Sequence, residues 1–301
     1  MKRVGFIGVG TMGTPMVTNL LKAGFSVLAC DVKPEALDEA GRRGAAVAGS
    51  AAEVAKNSDI VVTMLPSSPD VEVAYLGQAG VLAGAPPARL CVDMSTIDPG
   101  MSRRVAERAN AQGVRFLDAP VSGAVPRAVE GTLTIMVGGE QKDLEEARPV
   151  LAAMGSTIIH VGPVGSGEVA KLCNNLIAGV ATVAVSEAFR LAERFGVDPE
   201  ILTQVIRQSS GQTWIMEHNH PVPGIVAKAA SSRDYAPGFM TDLMAKDMGL
   251  AVMAGREQRL PLFTASAAAQ LYRLASAQGL GRKDFSSIYA FLGPASEHAP
   301  V

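Results

Sequence analysis

Cysteine is scarce in this chain. The three present, Cys30, Cys91 and Cys173, are odd in number and widely scattered, which argues against a disulfide framework and fits a reducing compartment. Charge is also thin. Charged residues make up 19% and the formal net charge is −2, which excludes the basic field that nucleic acid requires and the polybasic patch that an anionic membrane attracts. The four histidines show no ligand spacing: His218 and His220 stand two apart on an expected loop, and no metal site is predicted. No export signal is evident, because the apolar run at 4–9 is short and leads straight into a glycine loop. The apolar stretch at 176–185 is about ten residues, short of the ~20 that span a bilayer. Internal repeats and low-complexity tracts are lacking too. A soluble, cytoplasmic protein is expected, with no nucleic-acid or membrane partner.

What is present is a core-forming composition, 48% hydrophobic over 301 residues, enough for one large domain or two modest ones. Near the N-terminus an apolar run at 2–9 ends in Gly8, Gly10 and Gly13, a helical pattern follows at 15–23, and a second strand at 25–30 closes on Asp31. Strand, glycine turn, helix, strand and acid in that order form the dinucleotide-binding βαβ pattern. Gly8 permits the tight turn, Gly10 lets backbone approach a pyrophosphate, and Gly13 lets the helix pack on the strand. The helix N-terminus then receives the anion. Asp31 is expected to accept from the ribose hydroxyls and to repel a 2′-phosphate, favouring NAD over NADP, although Lys33 two residues on offers a phosphate a base.

Alternation continues with helices at 34–43, 51–57 (capped by Ser50), 98–111 and 141–154, and strands at 46–47, 60–65, 90–94, 115–117, 133–137 and 157–161. Ligands of doubly wound sheets lie beyond the carboxyl ends of strands, so Leu65, Pro66 and Thr96 are cofactor-contact candidates, with ordinary loop chemistry as the alternative. After the strand at 115–117, Ser122 and the N–H groups of Gly123 and Ala124 form either a small-anion site or a plain turn. The first domain is placed at 1–162.

The second, 163–301, opens with a proline-free helix over 166–195, apolar nearly all round and so expected to be buried. Lys171, Asn175, Ala178, Thr182 and Ser186 share one of its faces. Lys171 with Asn175 reads equally as a site or as a snorkelling lysine beside a backbone-bonded amide. The remainder reads as helices at 199–208, 239–255, 262–278 and 285–291, then a polar tail. Within the 239–255 helix, Lys246 and Asp247 taken alone read as a surface ion pair.

Four stretches, GFIGVGTMGTPM at 5–16, DAPVSG at 118–123, GSGEVAKLCNN at 165–175 and FMTDLMAKDMGL at 239–250, together resemble the β-hydroxyacid dehydrogenases, most of all the 3-hydroxyisobutyrate dehydrogenase branch. The resemblance implies an α/β fold: a Rossmann-like doubly wound domain, a long interdomain helix and an all-helical C-terminal domain that helps build a homodimer or homotetramer. It implies Lys171 as catalytic residue and Ser122, Gly123 and Asn175 on a small carboxylate substrate. Gly8, Gly10, Thr11, Met12, Gly13, Asp31, Leu65, Pro66, Thr96 and Lys246 would then serve NAD. The implied reaction moves a hydride between NAD and a small 3-hydroxy acid, with Lys171 passing the hydroxyl proton. Ala124, Pro126, Arg127 and Ala128 depart from the branch's glycine-rich turn and look more like tartronate semialdehyde reductases. That reductase and a serine dehydrogenase are the alternatives, and a non-catalytic dinucleotide-binding scaffold is the remote one.

Overall fold

A computed structural model describes residues 3–83 and 88–293; the polar tail expected from the sequence lies outside them. The chain divides into two compact units, residues 1–171 and 172–301.

The first unit is a sheet wrapped by helices. It begins β1 (Arg3–Ile7), α1 (Gly13–Lys22), β2 (Ser26–Cys30), α2 (Pro34–Arg42), β3 (Ala46–Val47), α3 (Ala51–Lys56) and β4 (Ile60–Thr63). It goes on through α4 (Ser68–Leu76), β5 (Leu90–Asp93), α5 (Pro99–Asn110), β6 (Arg115–Asp118), β7 (Val121–Ser122) and α6 (Ala124–Glu130). It closes with β8 (Leu133–Gly138), α7 (Gln141–Ala152) and β9 (Gly155–Gly162). The described strands pair in the order β3-β2-β1-β4-β5-β6-β8-β7, with β9 on β8. Pairs from β3 across to β6 are parallel, whereas β8 runs antiparallel to β6 and β7. Strand order reverses at β1, which lies between β2 and β4, and such a reversal opens a crevice at the strands' carboxyl ends.

Alternation along the strands covers both faces. Val4, Phe6, Ile60, Val62, Leu90 and Val92 bury on one face with Met16, Val17 and Leu20 of α1 and Leu144 and Val150 of α7. Ile7, Val61, Cys91 and Phe116 bury on the other with Val54 of α3, Val71 and Tyr75 of α4 and Val105 and Ala109 of α5. Burial on both faces is what parallel strands between helical layers require. The expected cap is present: Ser50 Oγ accepts from the Glu53 N–H at 3.1 Å, and Glu53 Oε2 accepts in return from Gly49 N at 2.8 Å.

Three elements of the first unit were not anticipated. α4 buries only Val71 and Tyr75, too little apolar stripe to signal a helix. β7 is two residues long, and α6 carries Pro126 in its first turn.

Helix α8 (Ser166–Arg194) begins in the first unit and continues into the second. The expectation of burial all round needs correction. Lys171, Asn175, Thr182 and Ser186 are buried, but the helix exposes Val169, Ile177 and Leu191, with Ile177 67% exposed. It is therefore amphipathic in a sense its residue types conceal, with the polar stripe inward. The hydroxyls on that stripe are satisfied within the helix: Thr182 Oγ1 donates to the Ala178 carbonyl at 2.9 Å and Ser186 Oγ to that of Thr182 at 2.7 Å. By length and composition α8 is also apolar enough to cross a membrane, contrary to the ten-residue estimate from the sequence. Its buried lysine, asparagine and hydroxyls mark it as a core helix instead.

The second unit continues with α9 (Pro199–Arg207), α10 (Trp214–His218), α11 (Thr241–Glu257), α12 (Phe263–Ala275) and α13 (Ile288–Phe291). Val183, Phe189, Met244, Met248, Ala268 and Tyr272 are part of its core. Residues 214–218, expected as part of a turn, form α10, whose first turn is capped by Thr213 Oγ1. His220 is fully buried, edge-on to Phe189. Burial holds its imidazole down at a pKa of about 4, so it packs as a neutral side chain. No metal-binding cluster of histidine, cysteine or acid occurs among the described residues.

Candidate active site

At the carboxyl end of β1 the three glycines differ in what surrounds them. Gly8 has φ +94°, and a Cβ there would lie 2.3 Å from the Met64 carbonyl and 2.9 Å from Leu65. At Gly13 a Cβ would lie 1.9 Å from the carbonyl oxygen of Gly8, so helix and turn close together only with glycine. A Cβ on Gly10 would meet nothing within 4 Å. This is open, exposed backbone just before α1, and Thr11 beside it is exposed as well. Bare backbone at a helix head is a cradle suited to a diphosphate. Met12, half-buried, is the residue preceding α1. Thr14 Oγ1 donates to the Val9 carbonyl at 2.6 Å and steadies the loop.

Asp31 stands at the end of β2, where its carboxylate serves the loop itself. Oδ2 accepts from Val9 N at 2.8 Å and Oδ1 from Lys33 N at 2.9 Å. These bonds fix the carboxylate while leaving lone pairs for ribose hydroxyls. Lys33 is exposed just before α2.

Leu65, Pro66 and Thr96 follow the ends of β4 and β5, and a buried polar network that the sequence did not reveal holds the backbone at Leu65. Asp93 Oδ1 accepts from Thr63 Oγ1 at 2.7 Å and from Ser95 Oγ at 2.5 Å, and Ser95 Oγ accepts from Leu65 N at 2.8 Å. Asp93 Oδ2 is buried with no hydrogen-bond partner among the described residues. Burial raises this carboxyl to about 6, against the bonds from Ser95 and Thr63 that pull it down.

Ser122 and Gly123 form the turn between β7 and α6, with Gly123 at φ +137° and Ala124 at φ +53°. A left-handed alanine is costly, and glycine would hold this backbone without that cost. Pro126 has no N–H, and Arg127 N bonds back to the Gly123 carbonyl, so the N–H groups of Ala124 and Val125 head the turn of α6.

Lys171 is only 6% exposed, and Asn175 one turn later on α8 is 5% exposed. The snorkelling alternative therefore fails, because a snorkelling ammonium reaches water. In the second unit Asn175 Nδ2 donates to Asp247 Oδ2 at 2.5 Å, and Lys246 Nζ lies 3.3 Å from Asp247 Oδ1. Asp247 is 2% exposed, so its reading as half of a surface pair is overturned. Its signal was the i, i+4 pattern Met244–Met248 that places position 247 beside the core.

These features define a class: a dinucleotide-binding unit joined through one helix to an α-helical unit, with a buried lysine and amide on that helix. Residues 3–162 match the family model described as the NAD-binding domain of 6-phosphogluconate dehydrogenase, and 165–292 match that described as the NAD-binding of NADP-dependent 3-hydroxyisobutyrate dehydrogenase. The 3-hydroxyisobutyrate dehydrogenase of Bos taurus mitochondria is 42% identical over 96% of this chain and 86% of its own length. An NAD-dependent L-serine dehydrogenase of Pseudomonas aeruginosa is 43% identical over 98% of this chain and 99% of its own. Among solved structures, Mycobacterium tuberculosis 3-hydroxyisobutyrate dehydrogenase with L-serine superposes with a TM-score of 0.93 at 41% identity, covering 98% of this chain and all of that one. The chain belongs to the β-hydroxyacid dehydrogenase family, in its 3-hydroxyisobutyrate dehydrogenase branch, and is an NAD-dependent hydroxyacid dehydrogenase. The glycine cradle fits NAD on the geometry given above, and NAD is the cofactor the sequence led one to expect.

Proposed function

We propose that the chain oxidises 3-hydroxyisobutyrate to methylmalonate semialdehyde, reversibly, with Lys171 as its acid–base residue. The observation that carries this reading is the buried amine of Lys171, one helical turn before an amide locked by Asp247. NAD, when bound, supplies the hydride acceptor. The chain supplies the rest. Nζ of Lys171 takes the hydroxyl proton during oxidation and returns it during reduction. Asn175, held in one orientation by Asp247, bonds the substrate's reacting oxygen or carboxylate. Ser122 and the N–H groups following Gly123 hold the carboxylate and present C3 to the cofactor. Gly8, Gly10, Thr11, Met12, Gly13 and Asp31 hold NAD, Leu65, Pro66 and Thr96 line it, and Lys246 serves its nicotinamide end.

Serine oxidation and tartronate semialdehyde reduction form the second reading. Ala124 in the turn and the similarity to an L-serine dehydrogenase support it. Initial rates with 3-hydroxyisobutyrate, L-serine and glycerate, each with NAD and NADP, decide between them. Highest kcat/KM for 3-hydroxyisobutyrate with NAD supports the first reading, and a clear preference for serine or glycerate replaces it. No turnover of any 3-hydroxy acid would leave only the scaffold.

We also assign a homodimer or homotetramer. Leu191, Phe195, Ile201, Val205 and Trp214 leave the second unit with large exposed apolar side chains, Phe195 at 80% exposure, and burial against another copy would remove them from water. Three free thiols support a reducing compartment such as the cytoplasm.

A further inference from the structure

The first turn of α8 lies unusually close to the sheet. A Cβ on Gly167 would be 2.4 Å from the Met136 carbonyl oxygen of β8 and 2.8 Å from Asp118 Oδ2, so only glycine permits this approach. The fully buried carboxylate of Asp118, at the end of β6, spans the junction: Oδ1 accepts from Gly165 N at 2.7 Å and Oδ2 from Glu168 N at 3.0 Å. Room for it is made by Gly138, whose Cβ would stand 2.4 Å from Oδ1. A second carboxylate works in the opposite direction. Glu168, also fully buried, reaches from the helix to accept the Ile97 N–H at 3.1 Å through Oε2.

An anion across the first N–H groups of a helix is favoured by the macrodipole and satisfies donors that the helix leaves open. Burial alone would push the Asp118 carboxyl up, and these N–H bonds oppose that shift. Gly167 and Glu168 precede Lys171 by four and three residues, so the docked face is the face that bears the lysine. The tethered turn is therefore the platform from which Lys171 projects.

We propose that Asp118 is a positioning residue for catalysis: by clamping the first turn of α8 to the ends of β6 and β8, it sets where the Lys171 amine stands. This rests on Lys171 being the acid–base residue.

The test is a pair of double-mutant cycles on the full-length enzyme. Asp118→Asn keeps the shape but turns a donor toward one of two N–H donors. Gly167→Ala lifts the same turn off the Met136 carbonyl without removing any polar group. Each is combined with Lys171→Ala, with kcat for the preferred 3-hydroxy acid, NADH affinity by fluorescence, and melting temperature measured. Each single variant should lose roughly tenfold or more in kcat, as ångström-scale misplacement of an acid–base group does, while NADH affinity holds within about twofold. In the Lys171→Ala background neither should lower the residual rate by more than about twofold, because the group they place is gone. Losses that multiply in full would show a general structural role and overturn the proposal. So would single variants with near-parental kcat, NADH affinity falling in step with kcat, or failure of both variants to fold. Near-parental kcat in Lys171→Ala alone would instead reject the role of the lysine itself.

Discussion

Asn175 and Asp247, 72 residues apart in sequence, share a hydrogen bond of 2.5 Å inside the helical unit. One of the amide's two N–H groups is committed to the carboxylate and its carbonyl oxygen accepts from Asn174 Nδ2 at 3.0 Å, so the amide cannot be flipped without losing a buried charge-assisted bond and its second N–H is left for a ligand. Asp247→Ala should release that constraint. A fall of roughly tenfold or more in kcat/KM for the 3-hydroxy acid is expected, since removing the acceptor of a buried charge-assisted bond costs about 1.5–3 kcal/mol. Steady-state kinetics with NAD saturating measures it, and an unchanged kcat/KM would detach Asp247 from the site.

Gly10 and Gly13 should respond oppositely to alanine. Gly10→Ala places its methyl in open space, so the melting temperature should hold while NADH affinity drops by roughly tenfold or more, the diphosphate having lost its backbone approach. Gly13→Ala drives a methyl against the Gly8 carbonyl and should destabilise the fold by about 1–3 kcal/mol or more. Calorimetry and NADH titration on the two variants separate these outcomes.

Cofactor choice depends on Asp31. Asp31→Ala removes the acceptor for Val9 N and Lys33 N and takes away the charge that repels a 2′-phosphate. The ratio of kcat/KM for NAD to that for NADP should fall by roughly tenfold or more, with Lys33 left to meet the phosphate. A constant ratio would place the discrimination elsewhere.

Asp93 gives a pH dependence of stability with a definite sign. Its folded-state pKa of about 6 lies above the ordinary 3.8, so the folded protein holds the proton more tightly than the unfolded chain. The resulting stabilisation is present below about pH 4 and is lost as pH rises through about 6, a change of about 3 kcal/mol for a shift of this size. Asp93→Asn abolishes it. Denaturant unfolding at pH 4 and pH 7 should show the variant gaining on the parent by roughly that amount, whereas a constant difference would mean Asp93 is ionised at both.

The glycine turn, Asp31 and the long helix were legible in the sequence because each is written in local pattern: fixed glycine spacing, strand and helix periods, and the proline-free run up to Arg194. The carboxylates that hold the site together were not. Asp93, Asp118 and Glu168 act on backbone N–H groups 2 to 71 residues away, and no local period records such a partner. Asp247 misled for the same reason. Beside Lys246 it resembles a surface pair, and only the distant Asn175 shows that it faces inward.

The role of Lys171 is tested most directly by the rate at which Lys171→Ala forms NADH from 3-hydroxyisobutyrate in a single turnover, with NADH affinity determined on the same preparation. A loss of roughly 10²–10⁴ in rate is expected, with cofactor affinity held within about twofold. A variant that turns over at nearly the parental rate would contradict it.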